Sequence, residues 1–432
     1  MKSVPIPAEL FIANRERLRQ QLAPRSVALC NANDILPTNA DGTMLLHQNA
    51  DLFYLTGVNQ EESILLLAPD AFDPNHREVL FLRETNELLT IWEGHKLTKE
   101  QARHVSGIKT VKWLSEFPAV FRAVMCEAEN VYLNSNEHQR AVIEVETRDA
   151  RFIRSCQQNY PLHRYHRLAP LLHALRVIKS TPEIAAIQAA CDLTGRGFER
   201  VCRFVKPGVN EAEVEAEFAH EFIRAKGAFA YNPIIASGAN NCVLHYNQND
   251  QVCRSGELLL LDVAAGLGNY MSDLTRTIPV NGRFTRRQKQ VYNAVLRVFR
   301  QICKAMVPGK TTKDLRTECE LLLAEECVGL GLLTRAQLKK QTPDNPAVKP
   351  YFMHGVAHPI GLDVHDVTYN HYRIAPGWVL TCEPAIYIRE EGFGVRLENT
   401  IQVTENGQVD LMADIPIEAG DVEALMHSRR KS

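Results

Sequence analysis

The sequence has no Cys-x-x-Cys pair, and its eleven cysteines are scattered and odd in number, so neither a zinc ribbon nor a disulfide framework is expected. Reduced, mostly buried thiols in a cytoplasm fit that usage. Long apolar runs are also missing. Stretches such as Leu258 to Leu261 are cut short by charges, far below the ~20 residues of a membrane span. The N-terminal MKSVPIPAELFIANRERL has no apolar signal-peptide core. A soluble, unexported, cytoplasmic chain with no membrane partner is the expectation. Excess positive charge is absent too: 49 Lys and Arg face 51 Asp and Glu, for a formal net charge of -2, which leaves nothing global to attract a phosphate backbone. Nucleic acid is therefore not an expected partner.

What is present is ordinary globular composition. The 432 residues are 45% hydrophobic and 23% charged, which is enough for two cores of ~100 to 250 residues each. Residues 1–174 alternate predicted strands (Phe53 to Leu55, Ser63 to Leu67, Glu78 to Leu82) with predicted helices (Ile12 to Leu22, Glu137 to Arg151). That alternation reads as a smaller α/β domain, without a Gly-rich phosphate loop and without a cluster of His, Cys and carboxylates to which a reaction can be assigned. The run Lys179-Ser180-Thr181-Pro182-Glu183 is a boundary signal, because a hydroxyl residue followed by Pro and Glu starts a helix. Residues 175–432 are then a second domain.

In that domain Ile184, Ile187, Cys191, Thr194, Phe198 and Val201 step by three and four, as one stripe of an amphipathic helix does. A second helix starts at Asn210 with Glu213 three residues on. Strands follow at Ile234 to Ser237, Leu258 to Val263 and Tyr270 to Val280. Thr285 and Gln288 form a capping box for a third helix, a fourth covers about Lys313 to Val328, and strands at about Val379 to Ile388 and Val395 to Val403 close the domain. Two helices and a hairpin thus occur twice, the pattern of an α+β architecture.

Each hairpin carries two acids. Asp262, after four leucines, and Asp273 are symmetric about Leu267 and Gly268, and Glu383 and Glu398 are symmetric about Glu390 and Glu391. Symmetric hairpins would set each pair directly opposite, with Cβ atoms ~4.5 to 5.5 Å apart. Apposed, poorly solvated carboxylates require protonation or a cation. In the last strand Arg396, Glu398, Thr400 and Gln402 share one face, which would line water or a cavity, while Val395, Leu397, Ile401 and Val403 share the other. Histidines supply a further ligand type: His354, His358 and His365 lie within twelve residues among glycines and Pro359, and His245 is a fourth candidate. The glycines and proline exclude the helical two-histidine zinc motif.

With these residues in view, nearly the whole chain resembles the Xaa-Pro aminopeptidase (aminopeptidase P) family, whose catalytic domain has the pita-bread fold. Asn49 to Gly57 is similar to a segment of the family's N-terminal domain and Leu175 to Glu183 to its interdomain junction. The family's five metal-ligand positions match Asp262, Asp273, His358, Glu383 and Glu398, in the same order and contexts. The resemblance implies two divalent ions, with Asp273 and Glu398 bridging, Asp262 completing one site, and His358 with Glu383 completing the other. One imidazole with four carboxylates is a hard donor set that suits Mn²⁺, with Zn²⁺ or Co²⁺ as the alternatives.

The resemblance also implies hydrolysis of the bond between an N-terminal residue and a following proline in peptide substrates. Glu383 would relay a proton to the leaving nitrogen. His245 and His365 match positions at the scissile region, His354 and Arg396 match positions near the proline ring and the following chain, and Tyr231 matches a position beside the substrate. Ala357, Ala385 and Asn399 depart from the family pattern, which more often has Ser or Gly, Gly, and Asp there. Ile91 to His95 is similar to a segment that approaches a neighbouring subunit, so a homodimer or homotetramer is implied, although Trp92 could instead pack in the core. Two other readings stand beside this one: a prolidase, which accepts only dipeptides, and a non-catalytic pita-bread binding module, which would lack the ligand set.

Overall fold

The computed structural model describes residues 6–342, 345–369 and 371–428. The chain divides between Arg176 and Val177 into two compact units. The first is built on six strands, β1 (Ser26–Asn31), β2 (Ile64–Leu67), β3 (Glu78–Leu82), β4 (Thr110–Trp113), β5 (Asn130–Leu133) and β6 (Arg164–Arg167), in the order β4-β3-β2-β1-β5-β6. Its helices are α1 (Ala8–Arg19), α2 (Ala50–Thr56), α3 (Glu87–Glu93), α4 (Lys99–Ser106), α5 (Phe117–Glu127), α6 (Arg148–Asn159) and α7 (Ala169–Arg176). Alternate residues of four strands, Val27, Leu29, Ile64, Leu66, Val79, Phe81, Val131 and Leu133, share a core with Phe121, Val124 and Met125 of α5. This is the period-2 burial expected of a sheet covered by helices.

Two local expectations give way here. Phe53 to Leu55 is helical, inside α2: the Asn49 side chain accepts from the Asp51 and Leu52 N–H groups, and Gly57 ends the helix at φ 66°. A cap and a left-handed glycine decide what three apolar residues cannot. Glu137 to Thr147 is not helical and is exposed from Gln139 on, and α6 begins only at Arg148, where Thr147 caps it. The helix forms where Phe152, Ile153 and Cys156 reach the core. Trp92 is 75% exposed, which removes the reading of it as a packed core residue.

The second unit opens with α8 (Thr181–Phe204) and α9 (Glu211–Arg224). Glu183 accepts the Ser180 N–H at 2.8 Å with Pro182 in the first turn, and Glu213 accepts the Asn210 N–H at 2.8 Å, so both sequence-read boxes form. Strands β7 (Ala228–Phe229), β8 (Ile234–Ser237), β9 (Leu258–Asp262), β10 (Ala265–Leu267), β11 (Tyr270–Met271) and β12 (Thr275–Pro279) follow. Then come α10 (Arg286–Ala305), capped by Thr285 and Gln288, α11 (Thr312–Gly329) and α12 (Arg335–Lys340). The chain ends in β13 (Val379–Cys382), β14 (Ala385–Ile388), β15 (Phe393–Arg396), β16 (Asn399–Thr404), β17 (Gly407–Asp410) and α13 (Ala419–His427). The repeated order of two helices and a hairpin is therefore present, with each long predicted strand broken in two.

Those breaks fall at the acids. Asp262 pairs with Thr275, and Leu267 pairs with Tyr270, so the first hairpin turns about Gly268 and Asn269, one residue later than expected. Asp262 and Asp273 are diagonal neighbours on one face and not directly opposite. In the second hairpin Cys382 pairs with Asn399 and Ala385 with Arg396; the same register on both sides sets Glu383 opposite Glu398, as expected. The hairpins are joined by a bridge between Thr275 and Glu398, whose N–H donates to the Thr275 carbonyl at 3.0 Å.

A buried ion pair holds the chain that leads to His365. Lys179 Nζ lies 2.8 Å from Asp366 Oδ2, each side chain 1% exposed, and a Cβ on Gly361 would run into both. Removing one partner of such a pair strands a charge in low dielectric, at a cost of about 3 to 5 kcal/mol. Lys179→Met is expected to lower the unfolding free energy of the second unit by that order, seen as a lower denaturant midpoint, and Lys179→Arg much less. Equal midpoints for Lys179→Met and the parent would refute the assignment.

Candidate metal centre

Each acid sits where a strand stops. Asp262 ends β9 behind Leu258 to Leu261, all buried, so the leucines anchor the strand and its last residue is carried to the edge of the core. Asp273 follows β11, and its N–H and carbonyl both bond the Thr400 hydroxyl, at 3.2 and 3.1 Å. Glu383 and Glu398 lie between the paired halves of the second hairpin. His358 belongs to a segment laid along β13: the Thr381 N–H donates to the His358 carbonyl and the Glu383 N–H to the Val356 carbonyl, both at 2.9 Å. Hydrogen bonds of the backbone, to ladders or to the Thr400 hydroxyl, thus hold the segments that carry all five predicted ligand positions.

The side chains converge. His358 Nε2 lies 3.5 Å from Asp273 Oδ2 and 3.9 Å from Glu383 Oε1. Asp273, His358 and Glu398 each offer a ligand atom within 4.8 Å of the others. Asp262 is tied to this group through Tyr231, whose hydroxyl lies 2.6 Å from Asp262 Oδ1 and 2.7 Å from Asp273 Oδ1. His358 Nδ1 faces the Pro359 carbonyl at 3.0 Å, and donation there leaves the Nε2 lone pair toward the carboxylates.

The electrostatics show what the cluster lacks. Burial raises the Asp262 carboxyl above its usual range, opposed by Arg396 and reinforced by Asp273. Burial, then Asp273 and Glu383, hold Glu398 well up. Burial pushes Glu383 to about 7, against the pull of His358. For His358 burial disfavours the charge, yet hydrogen bonding to Asp273 and the nearby Glu383 outweigh it and raise the imidazole. The Tyr231 hydroxyl has one proton and two carboxylate neighbours, so one of those contacts needs a second proton or a cation. Arg396, 2.6 Å from Asp262, is a single guanidinium beside four carboxylates. Four oxygen-donor groups and one imidazole, buried or half-buried and short of positive charge, fit a divalent cation.

The other predicted residues surround this group unevenly. Arg396 lies in it, donating also to the Tyr387 hydroxyl at 2.7 Å and to Thr275 Oγ1 at 3.1 Å. His354 Nε2 is 3.0 Å from that same hydroxyl and Nδ1 is 3.5 Å from Glu383; burial, with Arg396 next, lowers its imidazole to about 3, so it is neutral. The His365 ring meets His358 edge-on, centroids 4.5 Å apart, and is exposed. His245 is exposed on a turn after Cys242, near enough for its charge to act on His354. The sequence reading missed Thr275, which donates to Glu398 at 2.7 Å, and Tyr387. Alternation could have found both, since Thr275 shares a face with Asp273, and Tyr387 with Glu383.

The chain is similar to known proteins over nearly its whole length. Residues 185–405 match the model of metallopeptidase family M24 and residues 11–132 that of the aminopeptidase P N-terminal domain. The chain is 32% identical to the Xaa-Pro aminopeptidase of Escherichia coli (strain K12) over 99% of each chain, and 32% identical to that of Haemophilus influenzae over 98% of each. Among solved structures, Zn-substituted E. coli aminopeptidase P in complex with product superposes with a TM-score of 0.88 at 31% identity, covering 99% of this chain and 100% of that one. Aminopeptidase PepP of Pseudomonas aeruginosa superposes equally, at 29% identity over 99% of both.

A carboxyl raised by folding makes the folded state bind more protons than the unfolded one, so its stabilising effect is present below the unfolded value and is lost as pH rises. For Glu383 the window runs from 4.5 to about 7. Without divalent ions, the melting temperature is expected to fall across that window; with Mn²⁺ present the fall should shrink or vanish. A metal-free protein that gains stability through the same window would contradict the charge assignment.

Proposed function

The chain belongs to metallopeptidase family M24, with an aminopeptidase P N-terminal domain, and from this we infer that it is an Xaa-Pro aminopeptidase, a hydrolase that removes the residue preceding proline at the start of a peptide. The observation that carries the reading is the convergence of Asp273, His358 and Glu398, with Glu383 3.9 Å from His358 and Asp262 joined through Tyr231, a buried to half-buried group short of positive charge. We assign these five residues to two divalent ions, and Mn²⁺ is the assignment the hard donor set favours. Such ions polarise a carbonyl and lower the pKa of water.

The remaining work falls to side chains. When the bond to proline breaks, the departing nitrogen needs a proton, and we assign Glu383 to relay it. His245 and His365 are assigned to the carbonyl oxygen as charge develops on it. His354, kept neutral at about 3, and Arg396 are placed beside the proline ring and the following chain, joined through the Tyr387 hydroxyl. Tyr231, wedged against Asp262 and Asp273, is assigned a place beside the substrate. Proline nitrogen has no N–H and its φ is fixed, so a peptidase that relies on that donor fails where a pocket shaped for the ring succeeds.

We assign residues 175–432 to the catalytic domain and 1–174 to a domain that assembles subunits into a homodimer or homotetramer, supported by the exposed Leu88, Ile91 and Trp92 of α3. The eleven free cysteines suit a reducing cytoplasm.

Metal-replete protein is expected to cleave a longer peptide beginning Xaa-Pro-Xaa after its first residue; product identification that finds only Gly-Pro cleaved would favour a prolidase. Asp273→Asn should abolish turnover, because it removes a charge assigned to both ions, and near-normal kcat would sink that assignment. His365→Ala should lower kcat about 10²- to 10³-fold, as loss of one oxyanion partner does.

A further inference from the structure

The turn that carries His245 is gripped by a buried charge that the proposed chemistry does not use. Glu211, the first residue of α9, is fully buried. Its Oε1 accepts from the Ser237 N–H and the Ser237 hydroxyl, both at 2.6 Å. Its Oε2 accepts from the Tyr246 hydroxyl at 2.9 Å and the Gln251 N–H at 3.0 Å. The backbone closes the grip: the Glu211 N–H donates to the Gln251 carbonyl at 2.9 Å, and Asn210 Nδ2 donates to the Asp250 carbonyl at 2.7 Å. Among the described residues no Lys or Arg pairs with Glu211. Four hydrogen bonds and the helix N-terminus carry the charge instead.

The donors are placed where a turn would be fixed. Ser237 ends β8, Tyr246 directly follows His245, and Gln251 is the exit of the loop. Because β8 pairs with β9 so that Ile234 faces Asp262, one carboxylate refers the His245 turn to the strand that bears a metal-ligand position. Asn249, at φ 48°, ties the same loop from the other side, accepting the Ile235 N–H at 3.0 Å and donating to Glu215 at 2.9 Å.

We propose that Glu211 is the positioning residue for His245: it locks residues 243–250 to β8 so that an exposed imidazole on a turn keeps one position relative to the acidic cluster. The proposal rests on the assignment of His245 to the scissile region. Glutamine at this position would turn an N–H₂ group toward donors on one side, leaving them unpaired.

The test measures kcat and KM on an Xaa-Pro-Xaa peptide for Glu211→Gln, Tyr246→Phe, His245→Ala and the two doubles with His245→Ala, together with amide hydrogen exchange across 243–252. Glu211→Gln should lower kcat about 10- to 100-fold with KM little changed, should speed exchange in the loop, and should cost nothing further in the His245→Ala background. Tyr246→Phe, which removes one donor and keeps the carboxylate, should act in the same direction more weakly and carries the test if Glu211→Gln does not fold. Additive losses in the doubles would overturn the proposal. Unchanged loop exchange would overturn positioning by Glu211 alone, whereas an unchanged kcat in His245→Ala would overturn the reading of His245, so the two failures are separable.

Discussion

The structure is organised around a repulsion. Four carboxylates are brought together by backbone pairing at the join between two hairpins, where Thr275 bridges Glu398 and donates its hydroxyl to that same carboxylate. Left bare, such a group raises the pKa of its members, as it does for Asp262, Glu383 and Glu398. The ladders on either side hold the acids against each other, so the strain is answered by binding positive charge and not by relaxation. Arg396 answers part of it, at Asp262; the divalent ions assigned here would answer the rest.

This arrangement separates two kinds of support. The four acids assigned to the metal stand at or next to strand ends backed by core, with Leu258 to Leu261 behind Asp262 and Val395, Leu397 and Ile401 around Glu398. Their positions are set by packing. The histidines assigned to substrate stand on turns and loops, where packing is weaker and exposure greater. Those segments are held by buried charges instead: Lys179 with Asp366 beside His365, and Glu211 beside His245. Hydrogen-bonded charge does for the loops what hydrophobic packing does for the strands.

The polar face of the predicted strand Val395 to Val403 shows how much of this could be read in advance. Arg396, Glu398 and Thr400 alternate in the sequence, and all three prove buried, lining an enclosed polar site and not open water. The helix caps at Ser180, Asn210 and Thr285 were legible because a cap is written in four consecutive residues. The helix at Phe53 was not, because three apolar residues carry no period and Asn49 with Gly57 decided the outcome. Glu137 to Thr147 was misread for the converse reason: helical character without an apolar stripe finds nothing to pack against.

Residue identity by itself determined which groups were available: two acids per hairpin, a histidine segment kept from helix by Gly and Pro, and a hydrophobic run that had to be buried beneath Asp262. Tertiary structure decided their geometry. A turn centred one residue later than symmetry suggests placed Asp262 opposite Thr275 and diagonal to Asp273, while the second hairpin kept Glu383 and Glu398 in register. Thr275 met Glu398 and Arg396 only when strands distant in sequence were joined. The physical reason is that alternation fixes the face a side chain takes along its own strand, but its partner across the ladder depends on turn conformation and on the packing of the whole sheet.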